Sequence, residues 1–210
     1  MDIAITLIFL LLVLVFSTVL HELAHGYVAY WLGDETAKLN GRLSLNPLRH
    51  IDPYMSIILP VLLYLMGGPI FGGAKPVPIN TRNLKGREWG FALVAIAGPL
   101  MNILLAFIFF LLWFFIGHGS DLWGGILINS MYMNMGFALF NMIPIPPLDG
   151  SRVLYALAPD FVKRFMESIE HVGIIFVYIM VSFLSGLIAN YMNTAQSAIL
   201  KLFLWIVGAS

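Results

Sequence analysis

His21-Glu22-Leu23-Ala24-His25 is the part of this chain whose residue types and spacing are best suited to chemistry. On a helix, residues four apart share a face, so both imidazoles can point at one ion, while Glu22 beside the first can act on a water held there. The pattern stands at the end of an apolar run from Ile3 to Leu20 that is interrupted only by Thr6, Ser17 and Thr18. Ionisable side chains in such a place cost roughly 3 kcal/mol each to insert unless they are paired or buried in protein. A bound cation compensates that cost directly.

A catalytic zinc site takes three protein ligands and keeps a position for water, so a third donor is needed. With no cysteine in the chain it must be His, Asp or Glu, and thiolate sites and disulfides are excluded. Asp149 stands out among the acidic residues. It follows Pro144-Ile145-Pro146-Pro147-Leu148 and precedes Gly150, and broken backbone beside an apolar helix is tolerated where it lines a cavity. Asp149 also suits a helix N-cap for 151–157, and the two roles do not exclude each other. Asn102 is an amide within an apolar stretch, where it serves either a cavity or hydrogen bonding between helices.

The elements that position these groups belong in lipid. Of 210 residues, 60% are hydrophobic and 10% charged, where a soluble domain has about a quarter charged; mean hydropathy is +0.90. The fold expected is all-α and polytopic, a bundle of about four to six transmembrane segments with a small membrane-associated β-hairpin region. A single integral-membrane domain is expected over 1–210, with its core in 1–158 and two C-terminal hydrophobic segments, 169–188 and 195–207. Asp2 in place of a basic start marks the first apolar run as a retained helix rather than a cleaved signal. The hairpin is expected near 40–46, from Asn40-Gly41 and the alternation Arg42-Leu43-Ser44-Leu45. Residues 74–80, with prolines at 76 and 78, suit an extended edge segment.

Ten of the eleven basic residues fall in 34–53, 72–88 and 144–168, while the loops at 117–121 and 189–194 have none. Loops rich in Lys and Arg stay in the cytoplasm, so all three regions are expected there and the N-terminus outside. A full crossing by 55–71 would divide the first two, so that stretch, broken by Pro60, Gly67, Gly68 and Pro69, is expected to be re-entrant or membrane-embedded. Zero net charge sets nucleic-acid binding aside.

HELAH at 21–25, AGPLMN at 97–102 and NMIPIPPLDG at 141–150 together resemble the site-2 protease family of intramembrane zinc metalloproteases. GDETAKLNGRLSLNPLRHIDP and AKPVPIN are similar to its compact prokaryotic branch, which has neither a PDZ nor a CBS domain. The resemblance covers most of 17–157 and implies a core of three helices near 3–31, 89–116 and 122–150. It implies one zinc ion per chain on His21, His25 and Asp149, Glu22 as general base, and Asn102 near the site polarising a carbonyl. It implies that Asn141 binds the extended substrate backbone, where a C-terminal helix cap is the alternative.

The expected function is an intramembrane zinc endopeptidase cutting in or near transmembrane segments of membrane-protein substrates, in a prokaryotic plasma membrane with its site towards the cytoplasm. The alternatives are a zinc carrier using the same ligands and an inactive scaffold. A substrate must be held unwound, and 40–46 and 74–80 are expected to offer an edge for strand addition. His50, His118 and His171 read as interface residues rather than ligands.

Overall fold

The computed structural model describes residues 2–65, 73–117, 121–170 and 172–209. His118, His171 and the 66–71 part of the broken apolar stretch lie outside the described residues. The described chain forms α1 (Asp2–Trp31), a one-turn α2 (Thr36–Leu39), α3 (Leu59–Leu65), α4 (Glu88–Ile116), α5 (Asp121–Asn141), α6 (Gly150–Leu157), α7 (Asp160–Glu170) and α8 (Gly173–Ile206).

Three of these helices are long and apolar enough to cross a membrane: Ile3–Trp31, Glu88–Ile116 and Ile175–Ile206. The chain is an integral membrane protein. The expectation of four to six spans is therefore corrected to three among the described residues, for two reasons. Segments 169–188 and 195–207 are joined within the single helix α8, whose backbone departs from helical angles at Leu184; no proline interrupts the polar stretch between them. Helix α5 has 21 residues, but Asn129, Ser130, Asn134 and Asn141 dilute its apolar character, and it is not among the three.

The expected β-hairpin is also absent, and no strand forms among the described residues. Asn40-Gly41 ends a helix instead. Gly41 takes φ 63 while Asn40 stays at φ −82, whereas the two-residue hairpin turn with Asn-Gly needs positive φ at both positions. Gly41 N–H donates to Lys38 O at 2.9 Å and Arg42 N–H to Ala37 O at 2.9 Å, the paired bonds of a Schellman cap. The backbone of 73–80 is likewise held by three side chains and one bond to His50 O rather than by a partner strand. Arg42 Nη2 donates to Lys75 O at 2.7 Å, Val77 N–H to Glu22 Oε2 at 2.8 Å and Asn80 N–H to Asp34 Oδ2 at 2.6 Å.

Helix α1 ends in the same kind of cap. Gly33, at φ 102, donates to Tyr30 O at 3.0 Å and Asp34 N–H to Ala29 O at 2.9 Å. This delivers Asp34, fully buried, to the loop at 80–83. Its carboxylate accepts from Thr36 N–H at 3.1 Å and Thr36 Oγ1 at 2.5 Å, and from Asn80 N–H and, at 3.2 Å, Asn83 Nδ2. Burial pushes its pKa up, but these donors outweigh burial and hold it below the usual carboxylate range.

The stretch after Asp52 turns back. Residues 53–58 form a wide turn and α3 has seven residues, about 10 Å at 1.5 Å per residue against a hydrocarbon core of roughly 30 Å. Lys75 N–H donates to His50 O at 2.8 Å, so the segment leaves and returns to one face of the protein. At that same end Lys163 Nζ pairs with Glu88 Oε2 at 2.5 Å and Arg152 pairs with Glu170. The three basic regions thus meet on one side of the bundle.

The interior is built around α4, which packs against α1, α5 and α6. Ala106 and Phe110 of α4, Met131 and Met135 of α5 and Phe203 of α8 form one buried cluster. Ala29, Leu84 and Val94 form a second, beneath the loop at 80–85. On α1, Ile3, Leu7 and Leu11 lie exposed along its first half, while Ser17, His21 and His25, four apart, are buried along its second half.

Candidate metal centre

His21 and His25 sit one turn apart on the face of α1 turned to α4, with 8% and 6% of their surface exposed. Their Nε2 atoms lie 3.0 Å apart. Helix α4 can approach this closely because residue 98 is glycine: a Cβ there would stand 2.4 Å from His25 Nε2 and 2.6 Å from His21 Nε2. One turn earlier on α4, Val94 O faces His25 Nδ1 at 2.7 Å. One turn later, Asn102 Oδ1 faces His21 Nδ1 at 2.6 Å.

Asp149 arrives from the other side, on the irregular chain between α5 and α6. Gly150 seats that chain against the end of α5, where a Cβ would meet Met142 O at 2.2 Å. Asp149 occupies the position before α6, yet its side chain caps nothing. Its Oδ2 instead lies 3.2 Å from His21 Nε2 and 3.4 Å from His25 Nε2. Its carboxylate is the third donor of the cluster.

This donor set fits a zinc ion. A backbone carbonyl only accepts, so His25 Nδ1 carries the proton facing Val94 O, and an amide oxygen imposes the same on His21 Nδ1. Both Nε2 lone pairs then face each other and the Asp149 carboxylate, and Asp149 Oδ2 is a buried atom without a hydrogen-bond donor. With both rings neutral, three electron pairs converge, and a metal cation between them resolves their repulsion as a shared proton otherwise would. Tetrahedral zinc with bonds of about 2.05 Å separates its ligand atoms by about 3.3 Å, against 3.0, 3.2 and 3.4 Å here. A carbonyl and an amide behind the two ring N–H groups are the usual partners of ligating histidines.

Glu22 lies beside this cluster on α1, half-buried. Its Oε2 accepts the Val77 N–H at 2.8 Å, which ties the extended 73–80 segment to the site. Val77 itself is buried, against Gly26, where a Cβ would lie 2.5 Å from Leu43 and 3.2 Å from Val77. Asn102 is brought to the site with both ends of its amide engaged, since Nδ2 donates to Asn134 Oδ1 at 3.1 Å. Asn141 ends α5, and its Nδ2 donates back to Phe137 O at 3.1 Å; it is not one of the clustered donors. His50 is buried in the loop, donating from Nε2 to Ser44 O at 2.8 Å, and is not one of them either. A pocket of about 630 Å³ lies apart from the metal donors, bordered by Arg82, Arg87, Phe91, Arg152 and Tyr155.

Sequence reasoning missed Gly98, Gly150, Val77 and Asn134. The two glycines stand inside or beside motifs already singled out, and Asn134 is a polar residue four after Ser130 in an apolar stretch. Such spacing marks one buried polar face. Val77 contributes only its backbone, which no side-chain pattern reveals.

Comparison with known proteins bears on this geometry. Residues 9–122, more than half of the chain, match the family model of peptidase family M50. A protein of Bacillus subtilis named "Putative zinc metalloprotease YwhC" is 39% identical over 205 residues, covering 93% of this chain and 90% of its own length. Rip2 of Mycolicibacterium smegmatis, named in the same terms, is 30% identical over 166 residues, 78% of this chain and 62% of its own. MJ0611 of Methanocaldococcus jannaschii, also so named, is 42% identical over 102 residues, 48% of this chain and 51% of its own. No solved structure matches the chain. The matched region contains the paired histidines and the helix that presses glycine against them, and the chain belongs to peptidase family M50, the site-2 protease family of membrane zinc metalloproteases.

Proposed function

We propose that this protein is an intramembrane endopeptidase that hydrolyses peptide bonds in or near transmembrane segments of other membrane proteins, with one zinc ion held by His21, His25 and Asp149. The observation that carries this reading is the convergence of those three donors at the end of an apolar spanning helix, with Glu22 beside the first. Zinc, when bound, supplies Lewis acidity towards water and towards the scissile carbonyl.

The chain's own groups supply the rest. Glu22 takes a proton from the attacking water and delivers it to the leaving amine, so one carboxylate serves both steps. Val77 N–H holds Glu22 Oε2 and leaves Oε1, which takes no hydrogen bond among the described residues, for that transfer. Asn102 serves the reaction by fixing the ring of His21. Asn141, at the mouth between α5 and the Asp149 loop, offers its Oδ1 to the backbone of an extended substrate. The peptide must enter unwound, because a helix hides its carbonyls in hydrogen bonds, and residues 73–80 border Glu22 with extended backbone against which it lies.

The side of the membrane follows from charge. The basic regions gather at the end of the bundle that holds the site, which supports a site towards the cytoplasm of a prokaryotic plasma membrane. The test is Glu22→Gln protein reconstituted with a membrane substrate that the wild type cleaves. Retained zinc with cleavage lost is the expected result, and undiminished cleavage overturns the mechanism.

A further inference from the structure

A line of buried amides runs from the metal centre into α5. Asn134 Nδ2 donates to Ser130 O at 2.9 Å, Asn102 Nδ2 donates to Asn134 Oδ1 at 3.1 Å, and Asn102 Oδ1 meets His21 Nδ1 at 2.6 Å. Ser130, Asn134 and Asn102 are all fully buried, at 0% exposure. The Ser130 hydroxyl is spent on Ile126 O at 2.7 Å and does not enter the line.

The line has a direction, and its origin is a group that cannot be reversed. A backbone carbonyl only accepts, so Ser130 O requires the NH2 end of Asn134. Asn134 must then show its oxygen to Asn102, Asn102 must answer with its own NH2, and the oxygen of Asn102 is left facing His21. An oxygen accepts, so the ring proton of His21 sits on Nδ1 and the lone pair on Nε2. Turning either amide sets two donors or two acceptors face to face, and no water reaches these atoms to separate them.

We propose that Asn134 is a positioning residue for the metal centre: anchored on the Ser130 carbonyl, it fixes the direction of the Asn102 amide and thereby holds His21 in the tautomer whose Nε2 is free to bind metal. This rests on the reading that His21 is a metal ligand. Without Asn134 the Asn102 amide is free to turn, and its NH2 then faces His21 Nδ1 and moves the ring proton to Nε2. Hydrogen bonding between α4 and α5 is only part of what the pair does. The direction of the bond is what reaches the site.

The experiment is zinc affinity by chelator competition on the detergent-solubilised full chain, with folding followed by circular dichroism. Asn134→Leu is expected to weaken zinc binding by about 10- to 100-fold, the usual cost of losing a partner behind a ligand. Adding Asn102→Asp to Asn134→Leu is expected to restore binding to near the wild-type value, because a carboxylate has no N–H to turn towards His21. Wild-type affinity in Asn134→Leu overturns the proposal, and so does a loss that Asn102→Asp fails to restore, which would mark Asn134 as packing alone. If Asn134→Leu does not fold, Asn134→Ala, which removes the amide without adding bulk, is read by the same two outcomes. His21→Ala separates the two levels: if it keeps wild-type zinc affinity, the ligand assignment itself has failed.

Discussion

Adding one methyl group to Gly98 is expected to weaken metal binding while leaving α4 helical. By intrinsic propensity Gly→Ala inside a helix is favourable by about 1 kcal/mol, so the ordinary expectation is a more stable protein. Here the new Cβ would lie 2.4 Å from His25 Nε2, 2.6 Å from His21 Nε2 and 2.6 Å from His21 Cε1. Unstrained contact begins near 3.5 Å, so each ring must retreat by about 1 Å. Neither ring can do so freely, because Val94 O and Asn102 Oδ1 hold their far nitrogens at 2.7 and 2.6 Å. Overpacking of this kind costs roughly 1–3 kcal/mol, which at 1.4 kcal/mol per decade is about 5- to 150-fold in zinc affinity. The assay is chelator competition beside thermal unfolding of the metal-free protein. Gly186→Ala, where a Cβ meets nothing within 4 Å, is the matched control and is expected to keep wild-type affinity. Wild-type zinc affinity in Gly98→Ala would refute the packing argument.

Gly150→Ala is expected to lower zinc affinity by a similar factor in the same assay, since its Cβ would stand 2.2 Å from Met142 O and displace Asp149. Asp34 supplies a pH dependence that is independent of the metal. Its pKa is held below the usual carboxylate range in the folded chain, so its contribution is fully present above the unfolded value of about 3.9 and is lost as pH falls through the folded value. Thermal unfolding in detergent is therefore expected to fall more steeply below about pH 4 for the wild type than for Asp34→Asn, and parallel curves would contradict the assignment. Arg152→Ala breaks the pair with Glu170 and the stacking on Phe91; because the pair is open to solvent on the Glu170 side, unfolding is expected to shift by no more than about 1 kcal/mol with zinc content unchanged.

The chemistry of the candidate site was legible because ligand spacing on a helix is a local property. His21 and His25 declare themselves by a four-residue interval, and Asp149 by broken backbone in an apolar setting. The neighbours that orient them are long-range. Nothing local to Asn134 says that it reaches Asn102, 32 positions away, and nothing local to Gly98 says that two histidines 77 and 73 positions earlier press on it. The misread hairpin has a similar origin. Asn-Gly with alternating apolar residues serves a hairpin or a helix end, and the choice is made by Ala37 and Lys38 upstream, whose carbonyls accept the cap bonds. The number of spans was overcounted because polar residues at 189–194 read as a loop, although α8, whose departure from helical angles lies earlier at Leu184, carries them as helix. The charge pattern put the two ends of the stretch after Asp52 on one side, and the bond from Lys75 to His50 joins those ends.

The central claim is that His21, His25 and Asp149 together hold one zinc ion. Elemental analysis of the purified, detergent-solubilised wild type beside Asp149→Asn, handled identically, tests it without any substrate. The expected result is about one zinc per wild-type chain and markedly less in the variant. Equal zinc in both, or none in either after zinc is supplied, would contradict it.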